Sequence, residues 1–378
     1  MSRAFSFARA VAVLRKEFTQ MRRDRLTFAM MIGVPLIQLL LFGFAINTDP
    51  RHLPTVVELR DDGPATRAIL YGLKNSDYFA IQGQITNAEA ADRAIVRGRA
   101  LFVVTVPENF ERDLARGDRP QLLLDADATD PVAAAAATGA FAQIVSSALA
   151  PLIEGTSIEK EAPAPPVETL VHRRYNPAGR TAVNVVPGLL GIILTMTMTL
   201  MTSIALTREI ERGTLETLLA TPARPAEVMA GKIAPFIMVG LVQTGLMLGL
   251  AHLLFDVPFS GAVVTFAVAI GLFILVNLSV GFLFSTLARS QMQAMQMTFF
   301  YFLPSVLLSG FMFPFAGMPG WAQAIGQVLP NTHFIRIVRA VMLKGAETAD
   351  VTEPLVFLAG ILAVVASLAV LRYRRTLD

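Results

Sequence analysis

Leu26–Ile46 reads LTFAMMIGVPLIQLLLFGFAI, 21 residues without a single charge. About 20 consecutive apolar residues are enough to carry a helix across the hydrocarbon core of a bilayer. This stretch therefore marks a membrane protein. Composition agrees: 54% of the 378 residues are hydrophobic, only 16% are charged, and the mean hydropathy is +0.55. Soluble chains carry about 25% charge, so disorder, a fibrous protein and an ordinary soluble enzyme are excluded. There is no cysteine, which removes disulfides, thiolate metal sites and cysteine nucleophiles. Four histidines leave little for a histidine-rich metal site.

Downstream of this run comes a long stretch of mixed polarity. Uncharged runs then return at Thr181–Thr207, Ile233–Phe255, Val257–Ala288, Met297–Ala316 and Leu355–Leu371. The reading is a polytopic α-helical membrane protein with six transmembrane helices and a soluble insert between the first two. The last run is the shortest, but Pro354 starts it and Arg372 stops it. The divisions are an interfacial helix over residues 1–25, a first span over 26–46, an insert over 47–180, spans two to six over 181–371, and a tail over 372–378.

Charge sets the orientation. Residues 1–25 hold seven Lys/Arg against two acids, whereas residues 47–180 hold fourteen against eighteen. The positive-inside bias places the leading segment in the cytoplasm. Six crossings return the C-terminal Arg372, Arg374 and Arg375 to that side, where Arg208, Arg212, Arg224, Lys232 and Arg289 also fall. The basic residues thus follow membrane topology and are no nucleic-acid footprint. A cleaved signal peptide competes for residues 1–46, but its apolar run is too long and its basic leader too extended. Phe7, Val11, Leu14, Phe18 and Met21, with basic residues interleaved, have the spacing of an amphipathic helix in the headgroup layer or against a partner protein.

The insert alternates. Thr55–Leu59, Tyr78–Gln82, Ala100–Val106 and Gln121–Leu124 read as strands, and Pro64–Lys74, Ala88–Gly98 and Glu108–Arg116 as helices between them. Such alternation argues for a small α/β layer domain, here extracytoplasmic. Val132–Ile153 reads as a longer helix leading back toward the membrane, and Glu159–Pro166 as a proline-rich linker. Asp125, Asp127 and Asp130 are close enough to suggest a cation site, but turn chemistry at a strand end is the commoner cause of such a cluster.

No phosphate-binding loop of the form G-x-x-x-x-G-K-[ST] occurs, and neither does G-x-S-x-G, H-E-x-x-H or G-x-G-x-x-G. The chain is read as a non-enzyme that binds no cofactor or metal of its own. The span interiors carry uncharged polar residues, among them Gln38, Asn184, Thr195, Thr197, Thr199, Gln243 and Asn277. Ion-driven carriers usually place titratable groups there, so the energy for any transport comes from another subunit. Interhelical hydrogen bonding is the default role of these amides and hydroxyls; lining of a substrate path is the alternative for Asn184 and Asn277.

The second span ends in Arg208–Pro222, REIERGTLETLLATP. Glu209, Glu211 and Arg212 make a charged helix end and Gly213 a break. Thr214 caps a short amphipathic helix in which Leu215, Leu218 and Leu219 share a face and Glu216 adds to the acidic side. Pro222 and Pro225 close it before Lys232 opens the next span.

This string closely resembles the coupling-helix signature of the type-2 ATP-binding-cassette export permeases. LSGFMFPFAGMPGW at Leu308–Trp321 and LPNTHFIRIVRAVMLKG at Leu329–Gly345 resemble the same family. RKEF and RRDR within Arg15–Arg25, YNPAG at Tyr175–Gly179 and VPGLLGIIL at Val186–Leu194 are similar to its members with a large insert after the first span. The resemblance covers essentially the whole chain. It implies an inner-membrane exporter of bacteria in which two permease subunits, identical or closely related, pair around a central path. Two separate ATPase subunits, holding ATP and Mg, lie underneath with the Thr214–Ala220 helix in a groove. It further implies that short helices at roughly Trp321–Lys344 dip into the outer face and help form an exit gate, in a region that holds Pro314, Pro319, Trp321, Pro330, Arg336 and Arg339. Arg336, Arg339 and Lys344 are expected to anchor to lipid headgroups. A hydrophobic or amphipathic small molecule or a lipid is the implied substrate, and docking of a periplasmic adaptor on the insert stays open. The competing reading is a membrane-anchored receptor or signalling protein whose α/β domain binds a ligand; it leaves the five later spans and their signatures without a purpose.

Overall fold

The computed structural model describes residues 50–154, 165–211 and 225–375. The leading helix, the first span Leu26–Ile46, most of the proline-rich linker, the segment from Arg212 through Pro222 and the last tail residues lie outside the described residues.

The insert is an α/β domain. Strand β1 (Leu53–Leu59) is followed by α1 (Pro64–Asn75), β2 (Phe79–Ile85), α2 (Ala88–Val96), β3 (Phe102–Val106), α3 (Phe110–Arg116), β4 (Gln121–Asp127), α4 (Pro131–Ile153) and β5 (Glu168–Arg174). Local chemistry sets the boundaries: Pro64 opens α1, the Asn87 carboxamide accepts from Ala90 N at 2.8 Å to cap α2, and Gly117 closes α3 in the left-handed region at φ +81°. The sheet order is β2-β1-β3-β4-β5, with every pair parallel except β3 with β4. Alternation along the strands turns Val57, Val104 and Leu124 toward α1, α3 and α4, and Val56 and Val103 toward α2. Strand β5 has no counterpart in the sequence reading. It is an edge strand, largely exposed, so no buried alternation marks it.

Helix α4 is apolar enough over Ala134–Ile153 to cross a membrane by length and composition. Ala137, Phe141, Val145 and Leu149, four residues apart, are all 1% exposed or less and pack into the domain core. Its apolar character serves the sheet.

The helical part comprises α5 (Thr181–Glu211), α6 (Pro225–Phe255), α7 (Val263–Leu287), α8 (Gln291–Leu307), α9 (Gly320–Val328), α10 (Pro330–Lys344) and α11 (Thr352–Arg375). Among the described residues five helices have the length and hydropathy of a span, α4 together with α5, α6, α7 and α11. Two expected spans change their bounds. Residues 257–262 form a loop against the end of α10, with Ser260 N donating to Met342 O at 3.0 Å, so α7 starts later than Val257. The expected fifth span Met297–Ala316 is instead α8, 17 residues long, which starts earlier because Ser290 caps it. It stops at Leu307, where Gly310 at φ +81° and Pro314 turn the chain. At about 1.5 Å per residue it reaches roughly 25 Å, and its 17 residues are at the lower limit of the ~17–25 that span a bilayer.

Helix α5 is the hub, packed against α6, α7, α8 and α10. Gln243 Nε2 donates to Thr197 Oγ1 at 3.2 Å, Thr199 Oγ1 to Asn277 Oδ1 at 3.4 Å, and Ser203 and Thr298 share a 3.3 Å bond. These bonds tie α5 to α6, α7 and α8 in turn. Glycines let backbones approach: a Cβ at Gly281 would stand 2.6 Å from Thr199 O, and one at Gly191 2.9 Å from the Phe334 ring.

The helix ends alternate between two faces. Arg180, at the start of α5, donates to Asp256 O at the end of α6, 2.9 Å. At its other end Glu211 accepts from Gln291 N at 2.8 Å and Nε2 at 2.6 Å, at the start of α8. The α/β domain sits at the first of these faces.

Phe141→Ala is expected to destabilise the α/β domain by about 3–5 kcal/mol through the cavity it leaves. Thermal unfolding of the purified full chain measures this; an unchanged midpoint would mean that α4 faces lipid and not the sheet.

Candidate functional site

The elements meet most closely where the α/β domain rests on the bundle. Helix α10 ends at Gly345, whose φ of +69° allows Ala346 N to reach back to Ala340 O at 3.0 Å. That closure aims Lys344 into the domain. Its Nζ pairs with the Asp127 carboxylate and donates to Ile95 O at 3.0 Å, the side chains being 7% and 2% exposed. Asp127 also accepts from Thr129 N at 3.1 Å and Thr129 Oγ1 at 2.7 Å. The turn chemistry expected of the aspartate cluster is present, and a buried ion pair is added to it. Headgroup anchoring does not describe Lys344: the lysine is buried in protein. Arg97 Nε on Asp350 Oδ1 at 2.9 Å makes a second link between the domain and the loop before α11.

The YNPAG turn supplies a third link. Tyr175 is left-handed at φ +67°, and buried Asn176 brackets the turn, accepting from Arg180 N at 2.9 Å and donating to Arg180 O at 3.0 Å. Burial pushes the Tyr175 phenol up to about 12, opposed by the Arg174 guanidinium, and the Lys344 ammonium lies 5.8 Å from its ring centroid. Asn184, 2% exposed, is oriented to donate to Ala128 O and Thr129 O at 3.1 and 3.0 Å.

A cavity of about 400 Å³ opens between the domain and α10, and Pro314, Arg336 and Arg339 line it. Arg336 lies over the Phe315 ring, 4.5 Å from its centroid, and Arg339 Nη1 donates to Gly310 O at 3.1 Å. Pro319 and Trp321 start α9, Trp321 at 45% exposure, and buried Pro330 starts α10; they stand outside the lining. Asn277 is buried at the α5–α7 contact, its Nδ2 donating to Phe273 O at 2.9 Å. Sequence reasoning passes over Arg97, Arg99, His333, Asp350 and Glu353, because only the folded chain gathers them. Among the described residues no group of three or more His, Asp or Glu is placed to hold a metal ion.

On the opposite face Arg208 Nε contacts Gln291 Oε1 at 3.4 Å beside the Glu211 bonds, and Glu209 belongs to the same last turn of α5. Arg212, Gly213, Thr214, Leu215, Glu216, Leu218 and Leu219 lie outside the described residues.

A polar-laced bundle of helices long and apolar enough to cross a membrane, with an α/β domain on one face, is the architecture of a multi-pass membrane protein. The chain belongs to the ABC-2 family of transporter proteins, whose family model matches residues 25–371, and it is a permease subunit of an ATP-binding-cassette exporter, which works with a cassette ATPase. It is 29% identical to the "Probable multidrug ABC transporter permease YbhR" of Escherichia coli (strain K12), over 98% of this chain and 99% of that one. It is 27% identical to the "Probable multidrug ABC transporter permease YbhS" of the same organism, over 99% and 98%. With the "Inner membrane transport permease YhhJ", also from that strain, identity is 31% over 78% of each chain. The receptor alternative has no support in this family.

The Lys344–Asp127 pair yields a double-mutant test. Removing one member of a buried ion pair leaves an uncompensated charge and typically costs about 3–5 kcal/mol. Lys344→Met alone is therefore expected to lower the thermal midpoint more than Lys344→Met combined with Asp127→Leu. Additive effects in the two single variants and the double would show that the pair does not hold the domain.

Proposed function

We propose that the chain is the membrane half of an efflux system in the bacterial inner membrane, with six spans, both termini in the cytoplasm and the α/β domain outside. Two copies, or this chain and a close relative, pair around the substrate path, and two cassette ATPase subunits bind ATP and Mg beneath them. The permease itself hydrolyses nothing. The substrate is a hydrophobic or amphipathic small molecule or lipid taken from the cytoplasm or the inner leaflet; two relatives carry "multidrug" in their names. An adaptor protein docking on the α/β domain would continue the pathway outward.

One observation carries this reading. The α/β domain and the α10–α11 connection share one face, and the end of α5 meets the start of α8 on the other. The coupling segment we propose joins the end of α5 to the start of α6 in sequence, which supports docking of an ATPase at that second face. In it Leu215, Leu218 and Leu219 fill a groove on the partner, while Glu209, Glu211, Arg212 and Glu216 set register. Gly213 permits the break and Thr214 caps the helix. On the outer side Pro314, Pro319, Trp321, Pro330, Arg336 and Arg339 belong to an exit gate built from the short helices α9 and α10. Asn184 and Asn277 lie on α5 and α7, whose protein bonds leave packing as their primary role and path lining as a secondary one.

Leu218→Asp puts an unpaired charge into the groove and is expected to cost on the order of 3 kcal/mol or more, over a hundredfold in ATPase affinity. Glu216→Lys is expected to weaken assembly less, because a rim charge acts mainly on encounter. Co-purification with the ATPase, at matched membrane abundance, is the readout. Intact ATPase binding and export in Leu218→Asp would reduce the segment to an ordinary loop.

A further inference from the structure

The cavity beneath the α/β domain holds five cations, Arg97, Arg99, Arg336, Arg339 and Lys344, against four carboxylates, Asp127, Asp130, Asp350 and Glu353. Lys344 and Arg97 are paired with Asp127 and Asp350. Arg99, Arg336 and Arg339 line the same space, together with Asp130 and Glu353. Two polar atoms in the wall residues lack partners. Arg339 Nε is buried without a partner, and His333, 1% exposed, bonds Gln327 O through Nε2 at 2.8 Å and leaves its buried Nδ1 unpartnered. Of the two, only the Arg339 Nε–H is a donor; His333 donates through Nε2 and leaves Nδ1 as an acceptor, so it is the guanidinium groups that suit the site to a ligand that accepts hydrogen bonds. The rest of the wall is apolar: Phe315 under Arg336, Phe357 stacked on His333 at 5.0 Å, Ile335 and Val351.

We propose that this cavity binds an acidic headgroup, phosphate or carboxylate, carried on an apolar body. Arg99, Arg336 and Arg339 take the anion, because the guanidinium fork matches planar and tetrahedral oxyanions in two-point contacts. Phe315 and Phe357 receive the adjoining carbons. The volume stands at the lower end of the ~300–1,000 Å³ typical of small-molecule sites, which suits a headgroup and the first part of a tail. Both a membrane lipid and an exported amphiphile present this chemistry. The inference rests on the export reading for its purpose, but not for its measurement.

The test is calorimetric titration of the purified full-length permease, without ATPase, using dihexanoyl phosphatidate, dodecanoate, dihexanoyl phosphatidylcholine and inorganic phosphate. At least one of the two acidic amphiphiles is expected to bind tenfold or more tightly than phosphatidylcholine and phosphate. The tighter of the two names the source, phosphatidate for a lipid and dodecanoate for an exported compound. Arg99→Gln with Arg336→Gln is expected to weaken that binding at least tenfold with the thermal midpoint held, and Arg99→Gln alone by a smaller factor should the pair of changes impair folding. Equal affinity for phosphatidylcholine, equal affinity for inorganic phosphate, or unchanged binding in every folded variant would overturn the proposal. ATPase-driven transport in vesicles is scored separately: binding without transport removes the export reading and keeps the site, and transport without binding does the reverse.

Discussion

A buried lysine at the end of α10 fixes how the two halves of this molecule meet. Lys344 has left the membrane-facing surface for the interior of the α/β domain, where Asp127, Ile95 O and the Tyr175 ring surround it. Taking two charges out of water is costly unless each is fully bonded, and here Thr129 completes the shell of Asp127. The geometry is demanding, so the pair tolerates one placement of the domain. The Arg97–Asp350 link, the Asn184 amide and the YNPAG turn are all consistent with that placement. The cavity is a consequence, since it is the space left between α10 and the strands that Lys344 holds in register with it.

Below the junction the constraint changes. Lipid offers apolar helices no hydrophobic reason to associate, so packing must come from close approach and from hydrogen bonds between helices. Helix α5 provides both through Gly191, Thr197, Thr199 and Ser203. A bundle centred on one helix links its two ends: one end of α5 enters through the YNPAG turn beside the α/β domain, and the other holds Gln291 through Glu211.

Much of this was legible in the sequence, for identifiable reasons. Alternation and uncharged runs are local signals, so four of the domain's strands and the helices α5 and α11 are legible within a few residues, while α6 starts eight residues before Ile233 and α7 six residues after Val257. Strand β5 could not, because an edge strand with ETLVHRR buries too little to leave a period. The uncharged run Met297–Ala316 differs from α8 at both ends: Gln291, Gln293 and Gln296 are polar yet form its first turns, and Gly310 and Pro314 turn the chain inside an apolar stretch. Lys344 read as a headgroup anchor because its partner lies more than two hundred residues away. The cavity was hidden for the same reason: Arg97 and Arg99, the 309–316 turn, α10 and Glu353 converge only in three dimensions.

The central claim is that the α/β domain and its junction face outward while the segment after α5 faces the ATPase. A chain without native cysteines permits a direct measurement. Single cysteines at Thr86, Glu216 and Asp378 would be treated with a membrane-impermeant maleimide in intact cells and again after permeabilisation. The account predicts labelling of Thr86→Cys in intact cells, and of Glu216→Cys and Asp378→Cys only after permeabilisation. Labelling of Glu216→Cys or Asp378→Cys in intact cells, or protection of Thr86→Cys until the membrane is opened, would contradict it.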